Sequence, residues 1–208
     1  MRLLFIGNSY TARNDLPRIV AALAGAASPP VAVLTKAIVA GGASLRRHWN
    51  GTAARDAIAH GGFDVVVLQE QSTLPIKNAV RYHENVRLFD DAIRAAGART
   101  ALYLTWSRRD TPATRTQLDA AVEAIASERR ATLVPVGRAW HATLQRHPGI
   151  PLYMPDGSHP TPAGSYLAAC VFARVLVGVT PRDTSVARRA GVDEPAAANL
   201  HAIAAACT

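Results

Sequence analysis

Short apolar runs alternate with segments of helical spacing along the whole chain, and that alternation leaves few folds open. The clearest run is 64–69, "DVVVLQ", which is continuous, rich in β-branched residues and preceded by Gly61-Gly62. A run apolar at every position reads as a strand buried on both faces, the mark of a parallel sheet covered by helices. Four further runs read the same way: 3–6, 31–39, 100–106 and 132–136. The second is opened by Pro29-Pro30 and broken by Gly41-Gly42. Between them lie helical patterns at 16–26, 45–60 with a break near Asn50-Gly51, 80–96, 112–130 and 138–147. Two more follow, at 166–177 and 194–206. Asn14 or Asp15 caps the first helix, with Pro17 in its first turn, and Asp110 or Thr111 caps the fourth. The stretch "VTPRDTSVARRAGVDEP" reads as a loop. Neither a repeat nor a linker divides the chain, so a single α/β domain over 1–208 is expected.

Composition narrows the class. Hydrophobic residues make up 49% and charged residues 18% of 208, which supports a full core and excludes disorder. The formal charge is +8, almost all of it arginine, since Lys36 and Lys77 are the only lysines. Such a balance fits nucleic acid or a membrane surface. However, the densest groups are mere pairs, such as Arg46-Arg47 and Arg108-Arg109, without interleaved aromatics or a nucleic-acid motif. The two cysteines, Cys170 and Cys207, suggest neither a disulfide framework nor a zinc site. The N-terminal run is too short for a signal peptide, and no apolar stretch approaches the roughly 20 residues of a spanning helix. A cytoplasmic protein is expected, with no membrane or nucleic-acid partner.

In an open parallel sheet, ligands bind at the carboxyl ends of the strands. Ser9, Gly41-Gly42, Gln69 to Ser72 and Trp106 to Arg108 all follow strand ends and are expected to gather on one edge. A nucleophilic serine needs a base within hydrogen-bond reach, and the base needs an orienting group. Of seven histidines, His48, His60, His83, His141, His147 and His201 lie in or beside helical patterns and read as surface or capping residues. His159 lies instead in the turn-rich "PDGSHPTPAG", three residues after Asp156. That spacing lets the carboxylate accept from Nδ1 and leaves Nε2 free for Ser9. Acyl transfer also needs donors for an oxyanion. Candidates on the same edge are the Ser9 N–H, an N–H at Gly41 or Gly42, and a carboxamide at Gln69 or Gln71.

These blocks resemble the SGNH hydrolases, the GDSL-type esterases. "FIGNSYT" matches the first block with Ser9, "AGGASL" the second with Gly42 the better match, and "DGSH" the last with Asp156 and His159. The blocks span residues 3 to about 175 in the family's order. The third block departs: the usual Gly-x-Asn-Asp is "LQEQS", so that Gln71 falls where the asparagine would stand and Gln69 lies nearer the strand end. Asn8 replaces the aspartate of the first block. The resemblance implies a three-layer α/β/α sandwich around a five-stranded parallel sheet, of flavodoxin-like type. It also implies a Ser9–His159–Asp156 triad, an oxyanion hole from Ser9, Gly42 and a glutamine, an acyl-enzyme intermediate, and no metal or organic cofactor.

G-x-S-x-G, G-x-G-x-x-G and P-loop patterns are absent. The alternatives are a basic nucleic-acid-binding protein and a catalytically silent carbohydrate-binding protein on the same fold. With no long lid, a short acyl group such as acetyl is the expected substrate, on a small molecule or a carbohydrate. Tyr10, Trp106, Trp49 and Tyr153 are candidates to stack on a sugar, with Gly41 beside them, whereas Tyr103 and Trp140 read as core. Arg108 and Arg109 are candidates to bind an anionic group.

Overall fold

A computed structural model describes residues 1–208. Five strands form one sheet: β1 (Arg2–Gly7), β2 (Leu34–Val39), β3 (Val65–Leu68), β4 (Arg99–Tyr103) and β5 (Thr132–Val134). All pairs are parallel, in the order β2-β1-β3-β4-β5. Helices connect them: α1 (Ser9–Ala12) and α2 (Leu16–Gly25), then α3 (Leu45–Asn50) and α4 (Thr52–His60). After β3 come α5 (Leu74–Lys77) and α6 (Ala79–Ala95), and after β4 comes α7 (Arg115–Arg129). The chain closes with α8 (Val136–Arg146), α9 (Pro162–Phe172), α10 (Ser185–Arg189) and α11 (Glu194–Ala206). No helix is long and apolar enough to cross a membrane.

Alternation along the strands builds two cores. Leu3, Phe5, Val65, Val67, Ala101 and Tyr103 face a cluster completed by α2, α8, α9, α10 and α11. Leu4, Ile6, Val66, Leu68 and Leu102 face the other way, onto α3, α4, α6 and α7. Side chains on a strand alternate between faces, so a run apolar at every position can only be satisfied by helices on both sides. This is the three-layer α/β/α sandwich expected from the sequence.

The order places β1 between β2 and β3, so the chain winds one way from β1 to β2 and the other way from β1 to β3. Such a reversal opens a crevice at the carboxyl ends of the two strands flanking it. Gly7-Asn8-Ser9 and Leu68-Gln69-Glu70 both lie there, held in register by the Gln69 N–H on Ile6 O at 2.9 Å.

Some boundaries differ from the sequence expectation. The second strand begins at Leu34 and not at 31, because Val31 still bonds back to Ala24 O at 2.9 Å at the end of α2. The fourth stops at Tyr103; the next carbonyl, Leu104 O, accepts the Gly137 N–H at 2.9 Å as α8 begins beneath it. The fifth stops at Val134, since Pro135 starts α8. The helix expected from 166 begins earlier, at Pro162, because Thr161 Oγ1 caps the Gly164 N–H at 3.1 Å. The stretch read as a loop near Thr180 contains α10, whose Val186 and Ala187 are buried in the core.

Candidate active site

The site begins with the way β1 ends. A Cβ on Gly7 would lie 2.6 Å from Gln69 Oε1 and 2.7 Å from Thr11 Oγ1, so only glycine fits there. Through that gap Gln69 Oε1 accepts the Asn8 N–H at 2.8 Å and the Thr11 hydroxyl at 3.1 Å. Asn8 caps α1: its Oδ1 accepts the Tyr10 N–H at 3.1 Å, and its Nδ2 donates to Ala43 O at 3.1 Å. His48 Nε2 donates to Gly7 O at 2.7 Å, a carbonyl being able only to accept. Ser9 therefore stands at the first position of a fixed helical turn, half-buried, with its own N–H free of any protein partner.

The other half comes from a turn 150 residues away. Asp156 Oδ1 accepts the N–H groups of Ser158 and His159, each at 2.9 Å, and Gly157 supplies the left-handed backbone (φ 67°) that the turn requires. Asp156 Oδ2 lies 2.6 Å from His159 Nδ1, and His159 Nε2 lies 2.8 Å from Ser9 Oγ. A carboxylate can only accept, so Nδ1 carries the proton and Nε2 of the neutral ring accepts from the serine hydroxyl. The His159 ring, then the backbone N–H groups of His159 and Ser158, hold the Asp156 carboxyl well below the usual carboxylate range.

In the loop after β2, the Gly42 N–H has no protein partner. Gly42 adopts φ 64°, with open space where a Cβ would point, and Gly41 beside it is exposed. The two glutamines part company. Gln69 is wholly buried; its Oε1 serves Asn8 and Thr11, and its Nε2 donates to Glu70 O. Gln71 Oε1 accepts from the Thr73 N–H (2.9 Å), the Thr73 hydroxyl (3.0 Å) and the Leu74 N–H (3.0 Å), which leaves its NH2 free of protein partners.

Three of the residues proposed from sequence for the substrate take other positions. Tyr10 and Trp106 are each 3% exposed and stack on one another, so neither offers an open ring face to a sugar. Trp106 also stacks on Trp140, which closes it in. Arg109 is exposed but already engaged: its Nη2 donates to Tyr153 O and Met154 O, at 3.2 and 3.0 Å, and its guanidinium lies over the Tyr153 ring. Arg108 is exposed, and its side chain makes no hydrogen bond or ion pair. A cavity of about 700 Å³ lined by Leu23, Val31, Val177 and Arg182 lies toward the opposite edge, before the start of β2, and holds none of these groups.

Sequence reading overlooked Glu70. It is buried, and burial pushes its carboxyl up from the usual range. Its Oε1 accepts the N–H groups of Leu45 (3.0 Å) and Gln71 (2.7 Å), and its Oε2 accepts from Asn85 Nδ2 (3.0 Å). One carboxylate thus ties the loop after β2 to the loop after β3. The signal was present as an acid directly abutting the most apolar strand of the chain, where a charge is unusual unless paired.

No family model matches the chain by sequence, and no curated protein does. Solved structures do match. A protein of Slackia heliotrinireducens assigned to the SGNH hydrolases is 30% identical over 85% of this chain and 98% of its own, with a TM-score of 0.74. A DUF4886 family protein from Bacteroides uniformis aligns over 98% of this chain and 93% of its own, at 18% identity and a TM-score of 0.78. A catalytic mutant of an acetylxylan esterase from Geobacillus stearothermophilus aligns over 92% and 94%, at 17% identity and a TM-score of 0.65. The last two share the fold. An identity of 30% sustained over nearly the whole of the first neighbour, on that same fold, shows that this chain belongs to the SGNH hydrolase family.

Proposed function

We propose that this hydrolase cleaves carboxylic esters through Ser9, and that its substrates carry short acyl groups, acetyl above all, on a small molecule or a carbohydrate. The observation that carries the reading is the unbroken line from Asp156 Oδ2 to His159 Nδ1 (2.6 Å) and from His159 Nε2 to Ser9 Oγ (2.8 Å). Both contacts are within hydrogen-bond reach without any rearrangement. The likeness to an acetylxylan esterase supports an acetyl ester. The exposure of Gly41, Gly42 and Arg108 supports an open rim that admits a bulky alcohol and does not enclose a long acyl chain.

The geometry supports the following steps. Ser9 Oγ attacks the ester carbonyl carbon as its proton passes to His159 Nε2. The oxyanion is met by the N–H groups of Ser9 and Gly42 and by the carboxamide of Gln71. Gln71 takes this role because Gln69 is committed to Asn8, Thr11 and Glu70. The intermediate collapses, the C–O bond to the alcohol breaks, and the alcohol oxygen takes the proton from Nε2. Water then attacks the acyl-Ser9 and gives a proton to Nε2. The second collapse releases the carboxylic acid as His159 reprotonates Oγ. Asp156 stays ionised throughout, holding the tautomer and stabilising the imidazolium that forms twice per turnover.

Three outcomes are expected. The wild type hydrolyses p-nitrophenyl acetate faster than p-nitrophenyl octanoate, and Ser9→Ala and His159→Ala each lose roughly a thousandfold or more in kcat. Hydrolysis that survives Ser9→Ala sinks the reading. Gln71→Ala lowers kcat about a hundredfold with KM little changed. Gln69→Ala instead lowers the urea midpoint, because it strips the partner from a buried Asn8 N–H. The third outcome concerns acid. The folded Asp156 carboxyl titrates below its unfolded value, so its stabilising contribution is present above about pH 4 and is lost as pH falls through the folded value. Urea melts between about pH 5 and pH 2 should therefore show the wild type losing stability more steeply than Asp156→Asn. Because Asp156 is half exposed, the difference shrinks in high salt.

A further inference from the structure

Ser9 and His159 each have a neighbour in the chain that touches the other's segment. Tyr10 follows Ser9 and Ser158 precedes His159; the Tyr10 hydroxyl lies 2.6 Å from Ser158 Oγ. Both residues are buried, at 3% and 7% exposure. A buried hydroxyl is costly unless paired, and these two are paired with each other. Ser158 is held by every polar group it has. Its N–H donates to Asp156 Oδ1 at 2.9 Å, its carbonyl accepts Trp106 Nε1 at 3.0 Å, and its hydroxyl meets Tyr10.

The rings complete the arrangement. Tyr10 lies flat on Trp106, with centroids 4.8 Å apart and planes 5° apart, and Trp106 lies flat on Trp140 at 3.7 Å and 8°. The Tyr10 ring also meets the His159 imidazole edge-on at 5.6 Å. Ring packing alone would be served equally well by phenylalanine at 10. The hydroxyl adds a bond between the segment that carries the nucleophile and the turn that carries the base.

We infer that Tyr10, with Ser158 and Trp106, is a positioning clamp that sets the distance between Ser9 Oγ and His159 Nε2 without touching substrate. This rests on the roles proposed above for Ser9 and His159. Proton transfer to a base demands placement within about 0.5 Å, and an error of about 1 Å far from the chemistry can cost roughly a hundredfold. Asp156 fixes the tilt of the imidazole but not its separation from Ser9, because Asp156 rides on the same turn as His159. A tie to the nucleophile's own segment is needed for that, and Tyr10 to Ser158 is such a tie.

The test uses Tyr10→Phe, Ser158→Ala and the double variant in the full chain. Each single variant should lower kcat for p-nitrophenyl acetate about tenfold, with KM within twofold of the wild type, and the double should be no worse than either single. In proton NMR the downfield His159 Nδ1–H resonance should shift and exchange faster with water in all three. Kcat within twofold of the wild type with an unmoved resonance would overturn the clamp. So would a rise in KM at constant kcat, which would put Tyr10 against the substrate. Losses that multiply in the double variant would overturn the pairing. Should the wild type hydrolyse no ester, the reading of Ser9 and His159 fails, and the NMR comparison alone still decides whether Tyr10 holds His159.

Discussion

The close approach of Gln69 to the backbone at Gly7 is the contact on which this edge of the sheet depends. β1 and β3 end side by side, and the polar side chain of Gln69, just past β3, fills the space that a Cβ on Gly7 would take. Its oxygen holds the Asn8 N–H, Asn8 caps the turn that follows, and the cap fixes Ser9. A nucleophile at the first position of a helical turn has its own N–H pointing outward, because the first N–H groups of a helix have no partner within it. One steric fact at a strand end thus places both the hydroxyl proposed as nucleophile and an unpaired N–H beside it. The buried Glu70, one residue on, does the same work for the neighbouring loops by gathering the Leu45 and Gln71 N–H groups.

The two halves of the site are held by different physics. The Ser9 half is buried and shaped by packing against β3. The His159 half is a turn organised by one carboxylate that accepts two backbone N–H groups and the imidazole. That turn is anchored from outside by the loop after β4: Arg109 N–H donates to Gly157 O at 2.9 Å, and the Arg109 guanidinium grips Tyr153 O and Met154 O. A turn with so many ties loses little freedom when substrate arrives, which is the condition for a preorganised site.

Much of this is legible in the sequence, and the reasons are local. Continuous apolar runs identify the strands, and the rule that parallel strands share a carboxyl edge brings Ser9, Gly42, Asp156 and His159 together on paper. What is not legible is the direction of a side chain where a strand stops. Gln69 and Gln71 share a residue type and lie two apart, but β3 is buried on both faces and gives no alternation from which to tell the interior from the rim. Tyr10 and Trp106 both follow strand ends, yet Trp106 turns inward because Trp140, far along the chain, offers it a face, and Tyr10 stacks on Trp106 in turn. The helix α10 has only five residues, too few for a period to show. Arg109 reads as a free cation because the carbonyls it satisfies are about 45 residues away.

The most direct test of the central claim, that Ser9 is a nucleophile activated by His159, is covalent labelling with a fluorophosphonate followed by peptide mapping. The account predicts one label per chain, on the peptide bearing Ser9, and a rate of labelling that collapses in His159→Ala while the fold survives by circular dichroism. A label on another serine, or labelling of Ser9 that proceeds unchanged without His159, would contradict it.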